Sequence, residues 1–130
     1  MLGRRGEQLG VFGSHGQKLG NFSCPSGIDT NADGNLIIVS ELTNNRVQLF
    51  NRETISTNLE RETFLLKPKV FFGKEGCSPG SFRSPMGVSL NNSGDKFFIC
   101  DRDNARIQLM SIEGLYTDCL CNRLGLCFRA

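Results

Sequence analysis

The sequence predicts an all-β fold made of two four-stranded units in tandem, neighbouring blades of an incomplete propeller. Three observations carry this expectation: a 60-residue internal repeat, a frame of turn-forming glycines that recurs in register, and short β-branched or alternating runs with no helical period of useful length. Composition agrees with it. Hydrophobic residues make up 38% and charged residues 22% of 130 residues, a globular balance. Fifteen glycines and ten phenylalanines without a tryptophan suit many tight turns around an aromatic-filled β core.

The repeat aligns residues 12–50 with 72–110 without a gap, and 13 of the 39 positions are identical. They are Phe12/Phe72, Gly13/Gly73, Gly16/Gly76, Gly20/Gly80, Phe22/Phe82, Pro25/Pro85, Gly27/Gly87, Asn31/Asn91, Gly34/Gly94, Asn44/Asn104, Arg46/Arg106, Gln48/Gln108 and Leu49/Leu109. Ile28/Val88, Val39/Ile99, Glu41/Asp101 and Val47/Ile107 are conservative pairs. Within each unit the elements follow in order. Residues 27–30 form a first strand, ended by Asn31-Ala32-Asp33-Gly34, whose glycine supplies the positive φ of a tight turn. Leu36 to Ser40 is a β-branched run suited to a strand buried on both faces. Leu42 to Asn44 turn the chain, and Arg46 to Phe50 alternate polar and apolar as a half-buried strand does. A fourth strand falls near Phe64–Leu66 or Val70–Phe72. The second unit repeats the plan over 87–90, 96–100 and 106–110. Four antiparallel strands repeated radially make a propeller blade.

The combined pattern F-G-x-x-G-x-x-x-G-x-F-x-x-P-x-G, a β-rich run, an acidic residue and N-x-R-[VI]-Q-[LF] resembles the NHL repeat. Residues 12–50 and 72–110 carry it, and Gly6 to Val11 resemble the last strand of a preceding repeat. LIIVSELTNNRVQLF is especially similar to the NHL domains of tripartite-motif (TRIM-NHL) proteins. The resemblance implies a six-bladed propeller, part of a ubiquitin ligase or mRNA repressor, that recognises RNA or protein on one axial face. Four segments follow: 1–11, the end of a preceding repeat; 12–71, a first repeat with a long charged connection from Asn51 to Phe71; 72–114, a second repeat; and 115–130, a cysteine-rich tail outside the pattern. The sequence departs from the family in that long connection and in Ser40-Glu41 and Cys100-Asp101, where the family has alanine-aspartate. It contains no RING, B-box or coiled coil, so ligase activity is not carried over.

Residues that obey the repeat belong to the scaffold. Phe22 and Phe82 are expected to fill the wedge between blades, and Glu41 with Arg46 and Asp101 with Arg106 to form repeated ion pairs. Binding is expected where the units differ. The resemblance points to the residue between proline and glycine (Ser26, Met86), the residue before proline (Cys24, Ser84) and the residue after the acid (Leu42, Arg102), with Lys74 and Arg83 close by. Lys74, Arg83 and Arg102 are suited to phosphates, and Met86 to a base or an apolar side chain. The mostly neutral first unit weakens RNA as its ligand.

The expected function is therefore a non-catalytic binding module for protein or RNA, single-stranded or stem-loop, with no DNA or membrane partner and no cofactor. The alternatives are a fragment of a propeller lyase or hydrolase, or an inactive truncated product. His15 and Tyr116 are the sole histidine and tyrosine, too few for the zinc site of a propeller lyase. Asp29, Asp33, Glu41, Asp101 and Asp103 are a weak basis for a cation-dependent hydrolase channel, being near turns or beside repeated arginines. Cys119, Cys121 and Cys127 lack a fourth metal ligand nearby. The six cysteines show no regular disulfide spacing, and no secretory signal opens the chain, so a reducing cytoplasmic location is expected. Net charge is +2, too small to demand a polyanionic partner, and the apolar run 35–39 is too short to span a bilayer.

Two blades leave two outer faces bare. Each exposes ~400 Å² of apolar surface, which at about 25 cal/mol per Å² is worth roughly 10 kcal/mol. The chain is expected to be a fragment, or to fold only by assembling with the remaining blades of the propeller.

Overall fold

A computed structural model of the chain describes residues 6, 8, 10–58 and 61–119. Eight strands run in chain order: β1 (Pro25–Thr30), β2 (Leu36–Glu41), β3 (Arg46–Asn58), β4 (Arg61–Phe72), β5 (Pro85–Leu90), β6 (Lys96–Asp101), β7 (Arg106–Ser111) and β8 (Tyr116–Cys119). They build two antiparallel sheets of consecutive strands, β1-β2-β3-β4 and β5-β6-β7-β8. The fold is all-β, and its one helical element among the described residues is a single 3₁₀ turn, Arg102–Asn104. No helix among those residues is long and apolar enough to cross a membrane.

The registers of the two sheets match. Ile38 faces Leu49 and Glu41 faces Arg46 in the first sheet; Phe98 faces Leu109 and Asp101 faces Arg106 in the second. Because side chains alternate along a strand, each sheet has two faces. The main core joins one face of the first sheet, Leu36, Ile38, Val47 and Leu49, to the opposite-parity face of the second, Leu90, Phe97, Ile99 and Met110, with Phe82 buried among them. The Phe72 and Phe97 rings stack across this joint at 6.4 Å and 16°. A smaller cluster, Ile37, Val39 and Phe50 with Phe22 and Leu66 packed against it, lies on the other face of the first sheet. β2 is consequently buried along its whole length. β6 is not: it alternates exposed and buried, since only one of its faces meets the first sheet.

The loop ahead of each sheet is seated by its phenylalanine. At Gly73, with φ +101°, a Cβ would stand 2.4 Å from the Phe82 ring, and Gly13 faces Phe22 at the same 2.4 Å. Neither the backbone angle nor the space admits a side chain there.

Two segments differ from the sequence-based expectation. The charged connection 51–71 is no loop: β3 runs on to Asn58 and β4 returns from Arg61, a long hairpin with irregularities at Leu49/Phe50 and Thr54/Ser56. It pairs its backbone within the hairpin but projects beyond the stacked region, so Ile55 is exposed. The tail set outside the repeat supplies β8, which completes the second sheet against β7. Residues 1–5, 7 and 9 of the segment assigned to a preceding repeat lie outside the described residues, as do Cys121 and Cys127. Cys24, Cys77, Cys100 and Cys119 are free thiols.

Candidate binding surface

A buried polar knot under each sheet's leading loop fixes the geometry of the surface. In the first unit, Arg46 Nε donates to Glu41 Oε2 at 2.6 Å, with both side chains almost fully buried. The same carboxylate accepts Gln48 Nε2 (2.9 Å), Asn44 Nδ2 (2.7 Å) and the Ser23 backbone N–H (3.0 Å). The rest of the Arg46 fork donates to the carbonyls of Gln17, Lys18 and Asn21. In the second unit Arg106 Nε donates to Asp101 Oδ2 at 2.7 Å, Asn104 and Gln108 donate to the same oxygen, and the Arg83 N–H donates to Oδ1 at 2.7 Å. Arg106 then reaches the carbonyls of Cys77, Ser78 and Ser81. Among the described residues no buried side-chain N or O lacks a partner. A charge so enclosed and satisfied holds a loop in place; it is not poised to react.

Above the second knot, several candidate residues converge. Arg102 Nε pairs with Asp103 Oδ1 at 2.9 Å in a half-exposed bridge, and Arg102 Nη1 lies 3.9 Å from the Met86 sulfur. The Asp103 N–H donates to the Arg83 carbonyl (3.0 Å), which ties Arg83 to the same corner. The Arg102 hydrogen bond, with help from Ser84, holds the Asp103 carboxyl below its ordinary pKa. Ser26 sits at the seam of the sheets, where its hydroxyl donates to the Pro85 carbonyl at 2.8 Å; Ser40 donates to the Met86 carbonyl at 2.7 Å. Arg83, Met86 and Arg102 therefore share one corner, with Ser26 beside it in the joint. Lys74 is exposed on the leading loop, its carbonyl accepting the Phe82 N–H at 2.9 Å. Leu42 holds the equivalent corner of the first sheet, its N–H donating to the Cys24 carbonyl at 2.9 Å.

The residues before the prolines, Cys24 and Ser84, both have φ of 50°, and Asn45 and Ala105, at the ends of the facing turns, have φ of 51°. Non-glycine residues rarely occupy this region, and the same strain stands at both corners. Sequence alone missed Asn45, whose Oδ1 accepts the Ser84 N–H at 2.9 Å across the joint, and weighed Asp103 only as a weak channel carboxylate, not as the charge that offsets Arg102. The adjacent opposite charges of Arg102-Asp103 were the available signal for the second. For the first there was none, because the repeat puts Ala105 in the matching place.

A groove of about 640 Å³ opens on the far face of the first sheet, lined by Val11, Phe12, Phe22, Ile28, Val39 and Leu66 among others. Among the described residues no group of three or more His, Cys, Asp or Glu side chains is placed to hold a metal ion.

No protein-family model matches the chain, and no curated protein matches it. Among solved structures it is similar to a "putative 6-phosphogluconolactonase" from Bacteroides uniformis, at 13% identity and a TM-score of 0.47, over 77% of this chain and 27% of that one. The chain thus spans about a quarter of that protein's length. These findings correct the family assignment made from sequence. No family model and no curated relative supports the NHL repeat, so the NHL-repeat, tripartite-motif and ubiquitin-ligase assignments do not stand. The motif has a physical origin of its own here. Its glycines seat the phenylalanine rings, and its acid, arginine and glutamine form the knots.

Proposed function

We propose that the chain is a non-catalytic, protein-binding module built of two propeller-type blades, with the Arg83–Met86–Arg102 corner as its contact surface. The observation that carries this reading is the chemistry of that corner: two arginines and a methionine, with Met86 37% exposed, on loops clamped from beneath by the Asp101–Arg106 knot. Arginine and methionine are enriched in protein interfaces, and a rigid loop forfeits little entropy on binding. Asp103 beside Arg102 lowers the local positive charge, which favours a protein over the phosphate backbone of RNA. The knots take up Glu41, Arg46, Asp101 and Arg106 as scaffold groups, which favours a binding reading of the corner above them.

A photo-crosslinking residue introduced at Met86, used in cells, tests the proposal. A discrete protein adduct that Arg102→Glu abolishes is the expected result. Salt-dependent binding of single-stranded or stem-loop RNA, lost in Arg83→Glu and Arg102→Glu, with no protein adduct, would overturn it.

A further inference from the structure

The joint between the sheets provides a template for the two faces it leaves free. Its first-sheet side is a socket of Gly27, Ile38, Ser40, Val47 and Leu49, and its second-sheet side a plug that includes Phe82, Pro85 and Val88. By the 60-residue repeat, the first sheet also carries a plug, with Phe22, Pro25 and Ile28, and the second also carries a socket, with Gly87, Phe98, Cys100, Ile107 and Leu109. Burial distinguishes the used copies from the unused ones at the rim of the plug, whereas Ile37, Val39 and Phe50, the counterparts of Phe97, Ile99 and Met110, are already buried in the smaller cluster. Ile28 is 69% exposed while Val88 packs against the core; Phe98 is 39% exposed while Ile38 is 0%. Pro25 is exposed and Pro85 buried, and Cys100 is exposed where Ser40 is buried.

The glycines carry the comparison furthest. A Cβ on Gly27 would stand 2.5 Å from the Met86 carbonyl oxygen and 3.2 Å from the Val88 nitrogen, so the backbone of β5 occupies the side-chain space. A Cβ on Gly87 would meet only Cys100, at 3.6 Å, in ordinary contact, and Gly87 is not among the residues with positive φ. Nothing within this chain's own described fold requires glycine there. A strand docking on it as β5 docks on Gly27 would.

We infer that the chain associates head to tail with further copies of itself, the Phe22–Pro25–Ile28 plug of one seating on the Gly87–Phe98 socket of the next. Both halves of the fit stand on one chain, at opposite ends, and the internal joint shows how they mate. Such a contact is heterologous, so it adds copies until a ring closes or a filament extends. The free socket has Lys96, Ser89 and Ala105 where the internal one has Leu36, Asp29 and Asn45. It therefore lacks counterparts of the Asp29 bond to the Leu90 N–H and the Asn45 bond to the Ser84 N–H, and the joint between copies is weaker than the one within. This inference does not rest on the Arg83–Met86–Arg102 corner.

Sedimentation of the full chain and two variants tests it. Ile28→Asp disables the plug, and Gly87→Leu fills the socket without removing any contact. The wild type should show a mass that rises with concentration beyond one copy. Each variant alone should sediment as a folded monomer, and an equal mixture should form a 1:1 dimer and stop, since one live plug meets one live socket. Phe98→Glu provides a second socket variant should Gly87→Leu alter the circular dichroism spectrum. A monomeric wild type, variants that still self-associate, or a mixture that stays monomeric would each overturn the inference.

Discussion

At Glu41 and Asp101 a single buried carboxylate organises a strand, a turn and the loop that precedes the sheet. Glu41 and Asp101 differ by one methylene, yet each receives its arginine, asparagine and glutamine partners and one loop N–H. Removing one partner strands the other in the interior. Arg106→Ala should therefore destabilise the protein by about 3–5 kcal/mol, read as a shift of the urea midpoint. Lys67→Ala, which breaks only the exposed Glu53–Lys67 bridge, should change it by less than about 1 kcal/mol. At the surface corner the relevant quantity is a proton. Asp103 titrates below its usual range because Arg102 bonds to it, so whatever the bridge contributes is present above the unfolded pKa and is lost as pH falls through the folded one. Arg102→Ala should move the Asp103 carboxyl carbon titration upward in NMR; an unchanged midpoint would show that the bridge does not form in solution.

The elements that the sequence revealed were those with a face to bury. β1, β2 and β3 of the first sheet, and β5, β6 and β7 of the second, carry apolar residues at the spacing the joint requires, and their starts and ends fall within two residues of the turn signals in all but one case. The exception is β3, which continues to Asn58 past the stacked region. There Thr54 and Ile55 are exposed and no core sets an alternation, so the chain reads as a charged connection. β8 was illegible for the same reason: Tyr116, Thr117 and Asp118 are exposed, and Cys119 is only half-buried. The binding corner was legible by difference between units, which named Met86, Arg83 and Arg102 but not the asparagine and aspartate that hold them. If the outer hairpin is as independent of the core as the exposure of Thr54 and Ile55 indicates, replacing residues 55–63 with a two-residue Asn-Gly turn, which keeps the Thr54–Phe64 pair, should lower stability by no more than about 1 kcal/mol. A loss of cooperative unfolding would mean that the hairpin is part of the core.

At the scale of the molecule, two equivalent sheets are related by a joint in which opposite-parity faces meet. This arrangement explains why β2 is buried throughout while β6 alternates, why Gly27 admits no side chain while Gly87 does, and why Phe82 is fully buried while Phe22 is partly open. It also leaves Pro25 and Ile28 at one end, and Phe98 and Cys100 at the other, exposed among the described residues. The joint itself is the claim on which the binding corner and the assembly both depend. Its most direct test is a nuclear Overhauser measurement on uniformly labelled protein, diluted with unlabelled chains so that only contacts within one copy are read. The stacked sheets predict a cross-peak between the Gly27 α-protons and the Val88 amide proton, with a slowly exchanging Leu90 amide bonded to Asp29. Absence of that cross-peak, with Leu90 exchanging as freely as an exposed loop amide, would contradict the face-to-face stacking.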